Sequence, residues 1–505
     1  MVRKFAFTLA LLATARYALA SSVVTNVDAP QVVEKKPGQT ANYTEVCTEI
    51  SGALSPESVI YPGASRFQEL AGHYVVSSSQ DSACVVEPKN PSDVGRILKI
   101  VGRTKTPFAV KSGGHASNPG WSSTKGVHIS LNGFRTIEYN AVAKTVEFGT
   151  GLKWEEVYAA LDPHGVSVVG GRVAGVGVGG LTLGGGYAWR TNQFGLTIDT
   201  VTAFELVKPN GEVVKVTEKS DPELFFGLKG AQNNFGVVTK LTLKAFPQGQ
   251  VWGGMLTYAI PDTFAAVASA GAKFSAEVKD PKASLLSTVS YFNNTPIINV
   301  FPFYDGPSPP AGIFDTYLSI PSVANTIKTQ SFVSFVTSIP GEELNGKFRG
   351  YFLGLSVPEY SDSFQQLVNK VAFDAGAELT PKSLVFMTLA TEPFQPDILK
   401  HTSSPSAFPF TRSKMYTPFN LFLQWADPSQ DAVFEAAIKK MRDTLESALV
   451  AEGHKDVKTA PLYSNYALWD TPLNRIYGSN LPKLKAIKAR VDPGNVMGLT
   501  GGFKI

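Results

Sequence analysis

Short apolar runs separated by glycine-rich turns dominate residues 75–250. HYVVSSS (73–79), CVVEP (84–88), FAVKSGG (108–114), VHISL (127–131) and TVEFGTG (145–151) read as strands, as do FELVKPNGEVVKVT (204–217) and FGVVTKLTLKAF (235–246). Asn210-Gly211 marks a hairpin turn inside the sixth of these. PSDVGRILKIVGRT (91–104) and KWEEVYAALDPHG (153–165) read as amphipathic helices. In the first, Val94, Ile97, Leu98 and Ile100 fall near helical spacing, and Pro91-Ser92-Asp93 supplies the start signal.

The texture changes at about residue 251, where glycines thin out and aromatics rise. LLSTVSYF, FRGYFLGLSV and FNLFLQW predict strands, and DSFQQLVNKVAFDAGA and DAVFEAAIKKMRDTLESALVAEG predict long helices. This is a second α+β domain over 251–455. The tail, 456–505, is too short for a domain and is expected to return to the first, 75–250, as is the segment 21–74. There is no internal repeat and no low-complexity segment.

The first twenty residues carry Arg3 and Lys4, then the apolar run Phe5–Ala13, then Ala18-Leu19-Ala20. That order predicts a cleaved secretory signal over 1–20, and the run is too short to span a bilayer. Secretion favours a disulfide between the two cysteines, Cys47 and Cys84. Asn42-Tyr43-Thr44 and Asn293-Asn294-Thr295 are glycosylation sequons suited to the same compartment. Net charge is only +4, and the Lys/Arg-bearing stretches at 99–107 and 481–490 read as solvated helix faces, so no nucleic-acid partner and no membrane span is expected.

Two glycine runs hold the candidate chemistry. KSGGHASNPG (111–120) surrounds His115, one of six histidines. GGRVAGVGVGGLTLGGGY (170–187) contains Gly175, Gly177 and Gly180, a formal G-x-G-x-x-G, with Asp199 about twenty residues on. A dinucleotide fingerprint needs a helix opening inside the motif. Gly184-Gly185-Gly186 argues against one, because each glycine costs backbone entropy in a helix. The run reads instead as a loop turning backbone N–H groups towards an anion or planar ring. The remaining histidines, His73, His128, His164, His401 and His454, show no metal-ligand spacing, and no G-x-S-x-G elbow occurs.

Taken together, CVVEPKNPSDV, PFAVKSGGHA, VHISLNGFRTIEYN, TVEFGTGLKWEEVYAAL, VGVGGLTLGGGYAWRTNQFGLTIDTV, PELFFGLKGAQNNFGVVT and YSNYALWD…RIYGSNLPKLKAIKARVDPGNVM occur in the order found in one family. The chain resembles FAD-linked oxidases of the vanillyl-alcohol oxidase type, in the berberine-bridge-enzyme-like branch and among its secreted fungal members. The resemblance is strong over 75–248 and 460–500 and weak between. It implies a p-cresol-methylhydroxylase-type FAD domain and a substrate domain with an antiparallel sheet backed by helices. It implies FAD held by Ser112, Gly113, Gly114, His115 and Ala116, by Gly175, Val176, Gly177, Gly179, Gly180 and Gly184, and by Gly236, Val238 and Asn465. In this family the matching histidine carries the flavin covalently. The second, cysteinyl tether of many relatives falls here on Val173, so a single histidyl link at His115 is expected.

For catalysis the resemblance singles out Tyr187, Tyr463 and Gln424. A tyrosine base must lose roughly three pKa units to act near neutrality, and a neighbouring phenol, Gln424 or the flavin are the helpers expected. The acidic base of alkaloid-cyclising members has no counterpart in PDILKHTSSPSAFPFTRSKMY (396–416). The implied protein is a monomeric oxidase of a small molecule, reoxidised by O2 with release of H2O2, in secondary-metabolite synthesis. A carbohydrate or alcohol oxidase, a flavoprotein cyclase and a non-catalytic flavoprotein are the alternatives.

Overall fold

The structure, a computed structural model, describes residues 43–402 and 404–505. The expected signal peptide and Asn42 lie outside the described residues. Among these no helix is long and apolar enough to cross a membrane.

Helix Pro91–Thr104 forms as its pattern predicts: the Asn90 side chain accepts from Asp93 N, Pro91 occupies the first turn, and Val94, Ile97, Leu98 and Val101 are buried. It packs on a four-stranded sheet in which Cys84–Val86, Val127–Ser130 and Phe108–Lys111 run parallel. A five-stranded antiparallel sheet follows, with Val201–Val207 and Val237–Lys244 at its centre. The Asn210-Gly211 hairpin closes through a five-residue connection, with Gly211 at φ +87° and Lys208 N donating to Glu212 O. The tail packs on this lobe: Leu484, Ile487 and Phe503 share its core, and Lys488 Nζ donates to Asn234 O.

The other lobe is a nine-stranded antiparallel sheet backed by helices Pro261–Glu277, Asp362–Leu379 and Asp431–Ala451. Its strands alternate between two buried faces. On Thr417–Trp425, Phe419, Leu421, Leu423 and Trp425 join the helix-side core, while Asn420 and Phe422 face a cavity. Ala283–Phe292 behaves likewise: Leu285, Val289 and Tyr291 go to the core and Thr288, Ser290 and Phe292 to the cavity.

Two sequence expectations fail. HYVVSSS is not a strand: Val76–Ser78 is a single 3-10 turn. Its polar groups cap the neighbouring strand, with Val76 N donating to Phe348 O and Ser77 Oγ donating to Gly350 O and accepting from Gly350 N. The second glycine run is not all loop either, since Val178–Leu183 is a short helix. Close packing offsets the glycine entropy: a Cβ on Gly179 would lie 3.1 Å from Ser112 Oγ. The glycine triplet 184–186 ends that helix, and no dinucleotide-type buried strand precedes it: Val166–Ser167 pairs only with Phe246–Pro247.

Cys47 and Cys84 form a disulfide, joining helix Thr44–Ala53 to the parallel sheet.

Candidate active site

A cavity of about 1370 Å³ lies between the lobes. Single-ligand pockets span roughly 300–1,000 Å³, so this one has room for a dinucleotide-sized cofactor and a substrate together. The two glycine loops meet on one wall. They touch backbone to backbone: a Cβ on Gly113 would fall 2.5 Å from Gly177 Cα, and one on Gly177 would fall 2.3 Å from Gly113 N. Ser112 Oγ ties them further, donating to Thr150 O at 2.5 Å and accepting from Gly179 N at 3.3 Å. Part of the glycine requirement therefore comes from the loops' contact with each other.

Ser112, Gly113, Gly114, His115, Ala116, Val176, Gly177, Gly179, Gly180, Gly236, Val238 and Asn465 all line the cavity, and so does Val173. Gly180 is the most open of the glycines there, with nothing within 4 Å of the position a Cβ would take. Gly175 and Gly184 lie behind the wall. Gly175 N donates to the Glu155 carboxylate, and a Cβ there would meet Glu342 Oε1 at 2.0 Å. Gly184 makes room for the Asn465 amide, 2.2 Å from where its Cβ would be.

His115 sits in an aromatic stack, 4.1 Å from the Tyr74 ring and 5.9 Å from Phe352. Burial pushes its imidazole down to about 4, with Glu342 acting the other way and Lys153 adding to the fall, so the ring is neutral at physiological pH. The loop is fixed at both ends: Tyr74 N donates to Gly114 O, and Phe352 N donates to Ser117 Oγ. A neutral histidine beside a backbone-lined cleft suits a flavin ring edge.

Tyr187 and Tyr463 meet edge to face at 4.9 Å on the cavity wall. Asn465 Nδ2 donates to Tyr463 Oη at 2.8 Å and to Leu181 O at 3.2 Å. Burial raises both phenols, Tyr463 to about 12 and Tyr187 further, and Tyr463 adds to the rise at Tyr187. The protein surroundings thus hold both as protonated donors, opposite to the shift a tyrosine base needs. Gln424 lies outside the cavity wall. It is fully buried, its amide atoms have no hydrogen-bond partner among the described residues, and Val75 packs beside it over Gly350. The amide on that strand that does line the cavity is Asn420, four residues earlier on the same face.

The sequence reading missed a charged group. Glu392 follows strand Leu384–Thr391 and continues the cavity face of Phe386, Thr388 and Ala390. That alternation was the available signal. Arg172, beside Val173, reaches Glu392 from the glycine loop, with Nη2 2.6 Å from Oε2. Tyr466 Oη donates to Glu392 Oε1 at 3.0 Å and accepts from Arg172 Nη2 at 3.0 Å. Burial raises the Glu392 carboxyl, and Arg172 and Tyr466 only partly offset this. For Arg172 burial is the largest effect and opposes the charge, but Glu392 together with Tyr466 and Tyr463 outweighs it and the net shift is upward.

Of the remaining candidates, Trp154 and Trp189 are core residues, and Trp121 lines the cavity against Phe503. Asn293 is exposed in a hairpin turn at the cavity rim. Among the described residues no group of three or more His, Cys, Asp or Glu side chains is placed to hold a metal ion.

Residues 82–217 match the FAD binding domain family, and 462–500 match the berberine and berberine-like family. An FAD-linked oxidoreductase of Arthroderma benhamiae is 32% identical over 84% of this chain and 87% of its own length. The FAD-dependent monooxygenase drtC of Aspergillus calidoustus is 30% identical over 91% of this chain and 90% of its own. The solved carbohydrate oxidase of Microdochium nivale shares the fold, with a TM-score of 0.74 over 90% of this chain and 98% of its own at 18% identity. With the backbone cleft, the neutral histidine and these matches together, the chain belongs to the FAD-linked oxidoreductases of the berberine and berberine-like family.

Proposed function

We propose that this enzyme is a secreted oxidase with FAD linked covalently through His115 alone, acting on a small organic substrate of secondary metabolism and releasing H2O2. The observation that carries the reading is the neutral His115 imidazole on the cavity wall, with the side chain of Val173, not a thiol, lining the same cavity. FAD, when bound, supplies the hydride acceptor. The residues of the chain do the rest. The two glycine loops hold the cofactor, the sheet face from Thr288 to Phe422 receives the substrate, and Tyr187 and Tyr463 donate hydrogen bonds at the reacting end.

Acid precipitation tests the link: yellow flavin should stay with the protein pellet, and flavin in the supernatant refutes the tether. Anaerobic bleaching near 450 nm and H2O2 yield, measured across alcohols, sugars and aromatic intermediates, test the reaction. Turnover of a substrate without bleaching refutes the oxidase reading in favour of a cyclase.

A further inference from the structure

His115 is oriented without a hydrogen bond. Neither ring nitrogen has a hydrogen-bond partner among the described residues, and only burial and the charges of Glu342 and Lys153 act on its titration. A histidine used through one ring nitrogen is ordinarily fixed by a hydrogen bond at the other. Here neighbouring rings take that place. Tyr74 stacks on the imidazole at 4.1 Å with 25° between the planes, and Phe352 lies further off at 5.9 Å.

Tyr74 is itself tied at three points. Its N–H donates to Gly114 O at 2.9 Å, inside the His115 loop, and its carbonyl accepts from Gly346 N at 2.9 Å. Its hydroxyl donates to Gly341 O at 3.2 Å. The segment holding those two glycines also lines the cavity, through Gly341, Glu343 and Leu344, and Glu342 pairs with Lys153 at 3.2 Å. Ties at backbone and hydroxyl leave the Tyr74 ring one plane to offer the imidazole. An aromatic stack favours one ring arrangement by roughly two- to tenfold.

We propose that Tyr74 is a positioning residue for the covalent link, its ring setting the plane of the His115 imidazole so that one ring nitrogen faces the flavin edge. This rests on the reading that His115 carries FAD. The attachment balances overall. The imidazole N–H and one C–H of a methyl group on the flavin edge each lose a hydrogen, an N–C bond forms between them, and O2 takes two protons and two electrons to become H2O2.

The test uses the purified full chain, expressed side by side as wild type, Tyr74→Phe and Tyr74→Leu. Absorbance near 450 nm reads total flavin per chain, and flavin left in the acid-precipitated pellet reads the linked share. Tyr74→Leu should keep its total flavin, because the glycine loops hold the cofactor without the link, and should lower the linked share at least twofold. Tyr74→Phe keeps the stack and should keep the wild-type share. An unchanged share in Tyr74→Leu, or a Tyr74→Phe share as low as that of Tyr74→Leu, overturns the proposal. If Tyr74→Leu does not fold, Tyr74→Met is read in the same way, and failure of both to fold makes the tyrosine structural and overturns it too. Free flavin in the wild-type supernatant refutes the His115 link, and this proposal with it. A linked wild type beside an equally linked Tyr74→Leu refutes the role of Tyr74 alone.

Discussion

Arg172 and Glu392 meet at 2.6 Å across the seam between the lobes, one from a glycine loop and the other from the end of a sheet strand. Neither has another charged partner in an ion pair among the described residues, so each depends on the other for charge compensation.

Removing one member should therefore cost more than removing both. Glu392→Ala leaves a buried guanidinium uncompensated and should lower stability by about 3–5 kcal/mol. Arg172→Met with Glu392→Leu should recover much of that loss. Urea unfolding midpoints of the two variants check the order.

Gly177→Ala should loosen the loop pair. The new methyl would fall 2.3 Å from Gly113 N, a backbone atom that cannot move without displacing the His115 loop. A loss of about 1–3 kcal/mol or more is expected, with flavin content falling below wild type in the purified protein. Gly180→Ala, where the Cβ meets nothing within 4 Å, should keep its fold and lose chiefly flavin.

His115→Ala should keep the fold, lose all acid-stable flavin and oxidise substrate more slowly. Fluorescence of denatured protein on a gel reads the first effect, and near-ultraviolet circular dichroism confirms the fold.

Two buried histidines should limit stability in acid. His73 and His128 face each other at 6.1 Å, with Lys111 close enough to act on both. Burial lowers His73 from 6.5 to about 4 and His128 well below its usual value, with Lys111 adding to both. Between about pH 6.5 and 4 the unfolded chain binds protons that the folded one refuses, so stability falls as pH drops through that window and is level above it. For His73 the loss is on the order of 3 kcal/mol. His128→Leu should flatten the slope of melting temperature against pH.

Replacing Cys47 and Cys84 by serine should destabilise the first lobe. The bridge spans 37 residues, and chain-entropy reasoning gives about 4 kcal/mol for a loop of that length. The variant should melt lower while its flavin spectrum stays unchanged.

The helices and most strands of the first lobe were legible because their signals are local. Asn90-Pro91 starts a helix whatever lies around it, and Val237–Lys244 alternates along its own length. The glycine loops and His115 were legible as motifs. Gln424 and Glu392 show where this stops. Gln424 shares a strand face with Asn420 and Phe422, yet Val75, from a segment that reads as a strand and folds as a turn, packs beside it. Glu392 sits in an ordinary stretch, TLATEPF, and matters only because Arg172 arrives from 220 positions away in sequence.

By itself, the sequence determined the two-domain plan, the paired cysteines and the glycine loop around His115, which depend on short-range spacing and on residue types with few alternative uses. The cofactor class came from the resemblance of its ordered motifs to one family. Tertiary structure alone decided which amide lines the cavity, that both tyrosines are held as donors, and that an ion pair lies on the wall. Burial and charge compensation are properties of groups brought together from distant parts of the chain, and local pattern does not encode the meeting.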